Sequence, residues 1–278
     1  MRASAIRTQA AVAPNAAKTG RAGRTRALPR WANWISPIAL LLLWELASRT
    51  GFVDKRIIAP PTAIVATLVT MTLHEGFLGN VEITLARFLG GLVAGVVPGT
   101  LIGLTMGLFR WPRILLQPLV AMLYPLPHIA LFPIVLILVG QNERSNLLMI
   151  ALGPLFTMII VAANAVRTID PIFLDVASSF ETGVRDLYAR IVFPAVLPQL
   201  AAGFRISLGL ALVSTIAVEF LVTDNGIGHV IWNSWEILSL SRSVAGLAVT
   251  GVIGFIAFAI FARLERRIIP WQPSKTSS

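Results

Sequence analysis

The 278-residue chain is 56% hydrophobic and 13% charged, contains no cysteine and carries a net charge of +10. A soluble domain holds about 25% charged residues, and so few charges cannot cover the surface of a soluble core of this size. The missing cysteines exclude disulfide frameworks and thiolate metal sites, and the positive charge gathers at the ends of apolar segments, where anionic headgroups account for it without nucleic acid.

Residues 1–30 are basic, rich in Ala, Arg and Thr, and show no hydrophobic period. They read as a disordered, retained cytoplasmic tail. A membrane domain follows over 31–268, and 269–278 form a second short tail. Phe88–Phe109, Ile114–Asn142, Ser145–Val166 and Ser243–Ala262 each lack Asp, Glu, Lys and Arg. Apolar runs of ~20 residues match the ~30 Å hydrocarbon core of a bilayer. Four of them make this an integral membrane protein. Two further runs, interrupted only by Glu45 and Glu219, raise the expected helices to six: 31–50, 82–109, 114–139, 145–166, 199–222 and 243–264. The stretch Ala59–Leu73 starts with prolines but is short, and it reads as an amphipathic interfacial helix rather than a span.

Within the second expected helix, Gly91, Gly95, Gly99, Gly103 and Gly107 recur every fourth residue. Four residues slightly exceed one turn, so these glycines form a slowly winding stripe suited to close helix packing in lipid. The third expected helix contains Pro125, Pro127 and Pro133 around His128. Prolines there leave carbonyls without partners, and broken helices near the midplane are common at transport sites. Pro125, Pro127, His128 and Pro133 are therefore candidates for a translocation path. Glu219 joins them as a carboxylate inside a span, unless it points away and pairs with Arg87.

Charge orients the bundle. With the N-terminus inside, sixteen Lys and Arg fall in cytoplasmic segments, against Lys55, Arg56, Arg144 and Arg242 outside. This positive-inside bias places both termini in the cytoplasm. There is no Gly-Lys pair and hence no Walker loop, and His74, His128 and His229 form no metal motif. The chain is expected to be no enzyme and to bind no cofactor or metal itself.

The polar break at about 168–198 is the most specific feature. Asp175-Val176-Ala177, Glu181, and Ile191-Val192-Phe193-Pro194 keep the spacing of a Glu-Ala-Ala, three residues, Gly, nine residues, Ile-x-Leu-Pro motif. In this the chain resembles permease subunits of ATP-binding-cassette importers. The departure is Glu181 where the family has Gly, with Gly183 two residues on. Pro125 to Pro133, Val166 to Pro171, Glu219-Phe220-Leu221 and Gly226-Ile227-Gly228 are most similar to the nitrate, sulfonate and taurine importer permeases.

That resemblance implies an all-α permease of the type I importer fold, working as a homodimer in the bacterial inner membrane. It implies an ATPase-coupling loop in which Asp175, Val176, Ala177, Ser179, Phe180, Glu181, Gly183, Ile191 and Pro194 present a short helix to a separate ATPase subunit. That partner would hold ATP and Mg, and a periplasmic or lipoprotein binding protein would deliver a small solute, a sulfonate, nitrate or related anion. The competing classes are an ion-coupled secondary transporter acting through Glu219, and a membrane enzyme or scaffold.

Overall fold

The computed structural model describes residues 32–50, 59–169 and 192–271. The chain divides into two units, 1–43 and 44–278, and of the first only the helical residues from 32 onward are described. The tails and residues 170–191 lie outside the described residues. With 170–191 go Asp175, Val176, Ala177, Ser179, Phe180, Glu181, Gly183 and Ile191, the residues expected to couple to an ATPase.

The described residues form α1 (Ala32–Arg49), α2 (Pro61–His74), α3 (Phe77–Leu108), α4 (Arg110–Leu123), a 3-10 turn (His128–Leu131), α5 (Phe132–Val139), α6 (Glu143–Arg167), α7 (Phe193–Val222), α8 (Ile227–Glu236) and α9 (Leu240–Ile268), with no strand among them. Among the described residues, four helices (α3, α6, α7 and α9) are long and apolar enough to cross a membrane, and there are five if α4 and α5, bent by 94°, count as one broken span. This is fewer than the six expected. The 18-residue α1 falls short because Glu45 and Arg49 dilute its apolar run.

Helix α2 has 14 residues, about 21 Å at 1.5 Å per residue, too short to cross. It is not amphipathic as expected. Ile64 and Met71 are buried, and Val65, Val69 and Leu73 are exposed, so apolar side chains lie on both sides. Its start is held by Glu45, whose carboxylate accepts the Thr62 N–H at 3.1 Å and the Thr62 hydroxyl at 2.9 Å.

The glycines of α3 settle which helix it meets. A Cβ at Gly91 would strike Ile150, and one at Gly95 would strike the Ala151 carbonyl and Pro154. At Gly99 it would meet the Leu155 oxygen at 2.6 Å, at Gly103 the Ile159 oxygen at 2.5 Å, and at Gly107 the Val166 Cβ at 2.6 Å. The partners climb α6 as the glycines climb α3, so the two helices run parallel. At Gly95, Gly99 and Gly103 the hydrogen that a Cβ would replace points at the α6 carbonyls of Ala151, Leu155 and Ile159, a Cα–H···O geometry worth about 0.5–1 kcal/mol each.

Parallel neighbours require one return crossing between them, and the bent α4–α5 span supplies it. Helix α7 packs antiparallel to α6, with Gly203 against Val161 and Gly153 facing Leu210. Helix α9 is antiparallel to α7 in turn: Gly254 faces Leu212, Gly209 faces Phe258, and Arg205 Nη2 reaches Glu265 Oε2 at 2.5 Å. A buried cluster of Phe88, Leu92, Phe132, Met149, Ile150, Leu208, Ala211 and Val218 fills the middle of the bundle. Apolar side chains such as Leu89, Val93, Val97 and Leu101 of α3 stay exposed, as hydrocarbon surroundings require.

Gly95→Val and Gly99→Val should each lower the melting temperature of the purified protein. Overpacking of this kind costs about 1–3 kcal/mol, or more where backbone must move. Gly79→Ala, on the same helix with open space around it, should leave the melting temperature unchanged or raise it. Equal tolerance at all three positions would contradict the α3–α6 contact.

Candidate functional site

One face of α3 reads Asn80, Thr84, Arg87, Gly91 and Gly95. The spacing of three or four keeps these residues on one side of the helix. The polar members precede the glycines, so the stripe that meets α6 farther along begins as a row of hydrogen-bonding groups. They face the end of α7 and the start of α8.

At the centre is Glu219, which has no exposed surface. Its carboxylate lies 2.9 and 3.0 Å from the donating Thr84 hydroxyl, 3.2 Å from Arg87 Nη1 and 2.8 Å from the Gly228 N–H. Arg87, 4% exposed, is used on every side. Its Nε donates to Glu143 Oε2 at 3.0 Å, and its Nη1 also donates to the Asn225 carbonyl at 3.1 Å. Its Nη2 donates to Asn225 Oδ1 at 2.6 Å and to the Glu143 carboxylate. A buried guanidinium is thus shared between one buried and one exposed carboxylate, with the 223–226 turn wrapped around it.

The same groups cap α8. The first amides of a helix have no partner within it, and the N-cap Gly226 has no side chain to serve them. Three residues from other helices take that role: Asn80 Oδ1 accepts the Gly226 N–H at 2.7 Å, the Thr84 hydroxyl accepts the Ile227 N–H at 2.8 Å, and Glu219 accepts the Gly228 N–H. The glycines are required by this close approach. A Cβ on Gly226 would overlap the Glu219 carboxyl group, one on Gly228 would meet Glu219 Cβ at 2.5 Å, and Gly226 has a φ of +98°.

The pairing of Glu219 with Arg87, open as one of two orientations in the sequence, is therefore the one observed. A carboxylate that carries a proton or cation across a membrane needs contact with water, and Glu219 has none. Asn80, Thr84, Glu143 and Asn225 were not singled out from sequence. The available signal was phase: 80, 84 and 87 continue the glycine series backward.

The proline region forms the break between α4 and α5. Helix α4 ends at Leu123, the 3-10 turn starts at His128 after Pro127, and Pro133 occupies the first turn of α5. His128 stacks on Phe156 with ring centroids 5.7 Å apart, and its buried Nε2 has no hydrogen-bond partner among the described residues. Tyr124, Leu126 and Ile129 are exposed beside it, and α4 buries none of its side chains. This surface and the Glu219 network are separate: the break offers an exposed face, and Glu219 is enclosed. Pro194, the one residue of the expected coupling set within the described segments, sits in the first turn of α7.

Glu219→Ala should strongly destabilise the fold. Removing one partner of a buried pair costs about 3–5 kcal/mol, with the lower end expected because Arg87 keeps Glu143. Glu143→Ala, at a partner that is 61% exposed, should cost about 1 kcal/mol or less. Thermal melts in detergent check the order; a Glu143→Ala loss equal to that of Glu219→Ala would overturn it.

Comparison with known proteins supplies the family. The family model for the binding-protein-dependent transport system inner membrane component matches residues 95–270. A putative aliphatic sulfonates transport permease protein, SsuC of Escherichia coli, is 30% identical over 247 residues, covering 89% of this chain and 94% of that one. SsuC of Bacillus subtilis is 27% identical over 238 residues, 86% of each chain. The taurine transport system permease protein TauC of Escherichia coli is 26% identical over 237 residues, 84% of this chain and 86% of its own. The matched region takes in most of the glycine stripe, the proline break, the Glu219 carboxylate and the capped start of α8, and the chain belongs to the family of inner-membrane components of binding-protein-dependent transport systems.

Proposed function

We propose that this chain is the permease subunit of an ATP-driven importer that carries a small sulfonate or a related anion inward. The observation that carries this reading is the alignment of nearly the whole chain with permeases named for aliphatic sulfonates and taurine. In this reading two copies face each other across the surface that holds the break at Pro125, Pro127, His128 and Pro133. Each copy meets an ATPase subunit through the segment around Asp175 to Pro194, and that subunit binds ATP and Mg. A solute-binding protein delivers the anion at the opposite end, where the 223–226 turn and α8 lie.

The structure supports the division of labour. Glu219 belongs to the lock that fixes α8, so it is removed from the path an anion would follow, where its charge would repel the solute. The exposed turn at 124–131 provides carbonyls, amides and one histidine without an acidic group nearby in sequence. Helix α6 runs unbroken from the lock, where Glu143 holds Arg87, to the segment proposed to touch the ATPase.

Cells that express the chain with its ATPase and binding protein should accumulate alkanesulfonates. Asp175→Arg or Ala177→Trp should abolish that uptake while the permease remains inserted at normal amounts. Full uptake by both variants would sink the coupling assignment. A binding protein stabilised only by cations or peptides, and by no sulfonate or nitrate, would sink the substrate class.

The proposed orientation puts both termini and the 170–191 segment in the cytoplasm. Cysteines at Thr25, Thr182 and Ser274 should resist a membrane-impermeant thiol reagent in intact cells, and one at the exposed Asp224 should react. Labelling of Thr182→Cys from outside would reverse the topology and remove the ATPase contact with it.

A further inference from the structure

A second site lies at the opposite end of the bundle from the Glu219 network. The ends of α3 and α6 and the body of α4 border an open cleft of about 200 Å³. Its polar lining is Arg113, Gln117, Tyr124, Asn164 and Arg167, and its walls are apolar, with Met106 and Ile159 among them. No Asp or Glu lines it among the described residues.

We propose that this cleft binds a small oxyanion (a sulfonate, sulfate or phosphate group) between Arg113 and Arg167. Arg113 is held in place from behind. Its Nε donates to the Met106 carbonyl at 3.0 Å and its Nη2 to the Gly107 carbonyl at 2.6 Å, which orders the guanidinium and leaves Nη1 for a ligand. Arg167 has no acceptor among the described residues and enters the same cleft from α6. Two guanidinium groups give planar, forked donors that suit tetrahedral oxyanions. The amides of Gln117 and Asn164 and the Tyr124 hydroxyl add neutral donors at the rim.

Capping the carbonyls at the end of α3 explains part of Arg113. It does not explain why a second arginine, two amides and a phenol should line one cleft. A concave site with apolar walls and a few convergent polar groups is the usual form of a small-ligand pocket. The walls also favour a charged head with a short apolar tail over a bare ion. The same chemistry comes from two sources, a free anion in solution or the phosphate of an anionic lipid entering between α4 and α6.

The test uses the purified full chain in nanodiscs, with neither ATPase nor binding protein, so its outcome is independent of the solute the importer carries. In phosphatidylcholine discs, sodium methanesulfonate and sodium sulfate should raise the melting temperature saturably, beyond sodium chloride of equal ionic strength. Arg167→Gln should weaken the apparent affinity about ten-fold or more, the loss of one charge-assisted contact. Gln117→Leu, at an exposed position where folding is not at stake, should weaken it as well. In the second arm, the discs contain phosphatidylglycerol. If a lipid phosphate fills the site, these discs raise the melting temperature without added anion, abolish the response to sulfate, and lose both effects in Arg167→Gln. Either pattern supports the site and names its source. No anion-specific shift in either disc, or equal responses from the parent and both variants, overturns it.

Discussion

Inside a hydrocarbon layer no water is present to satisfy a polar group, so a buried donor or acceptor left without a partner in the protein is costly, and a buried charge most of all. The Arg87–Glu219 pair is where this constraint is most demanding, because both members are charged and neither reaches solvent. Such a pair is tolerable only when further hydrogen bonds fill the remaining positions. Those bonds recruit Thr84 from α3, Glu143 from α6, Asn225 from the turn and the Gly228 amide of α8, and beside them Asn80 and Thr84 hold the amides of Gly226 and Ile227. One desolvated charge thus specifies the junction of four helices. Glu45 does similar work in miniature, holding the start of α2 through Thr62. Both carboxylates that interrupt apolar runs serve the free amides of a short neighbouring helix.

Packing in the rest of the bundle follows from the absence of side chains rather than their presence. In lipid, burying apolar surface between helices yields little, and close backbone approach supplies the attraction. The α3–α6 interface achieves it with glycines facing carbonyls, and the bulk that α3 lacks is provided by Ile150, Met158 and Ile159 from α6. Because this parallel pair is continuous on both sides, the bend falls on the intervening span, at the prolines that already deny it a regular helix.

Much of this arrangement was readable in the sequence, and the unread parts have a common cause. Charge-free blocks marked the long helices because bilayer thickness sets their length. The four-residue glycine period marked a packing stripe, and the proline cluster marked a broken span; both are local signals. Helix α8 was missed. It has ten residues, and its capping groups are Asn80, Thr84 and Glu219, up to 146 positions away along the chain. No Ser, Asp or Asn at the N-cap announced it, because Gly226 stands there. The start of α7 was placed too late at 199 for the opposite reason. The motif ending at Pro194 carried the expected loop to 198, yet Pro194 lies in the first turn of α7, where its missing N–H costs nothing. Pairing of Glu219 was legible only as one of two orientations, because sequence alone carries no information about which face of α7 meets α3.

The parallel course of α3 and α6 also has an electrostatic consequence. Peptide dipoles add along a helix and leave partial negative charge at its C-terminus. Helices α3 and α6 end together, as Gly107 against Val166 shows, and α9 ends beside the start of α7 at the same side, as Arg205 with Glu265 shows. Three of the long helices therefore direct their negative poles to one end of the bundle. That end is where Arg110, Arg113, Arg167, Arg263, Arg266 and Arg267 lie. These arginines answer two fields of the same sign, that of the anionic headgroups and that of the converging helix termini. The attraction of these arginines to the helix termini is internal to the fold and moves with it, so it holds a dense band of positive charge at one end of the bundle whichever way the chain is inserted.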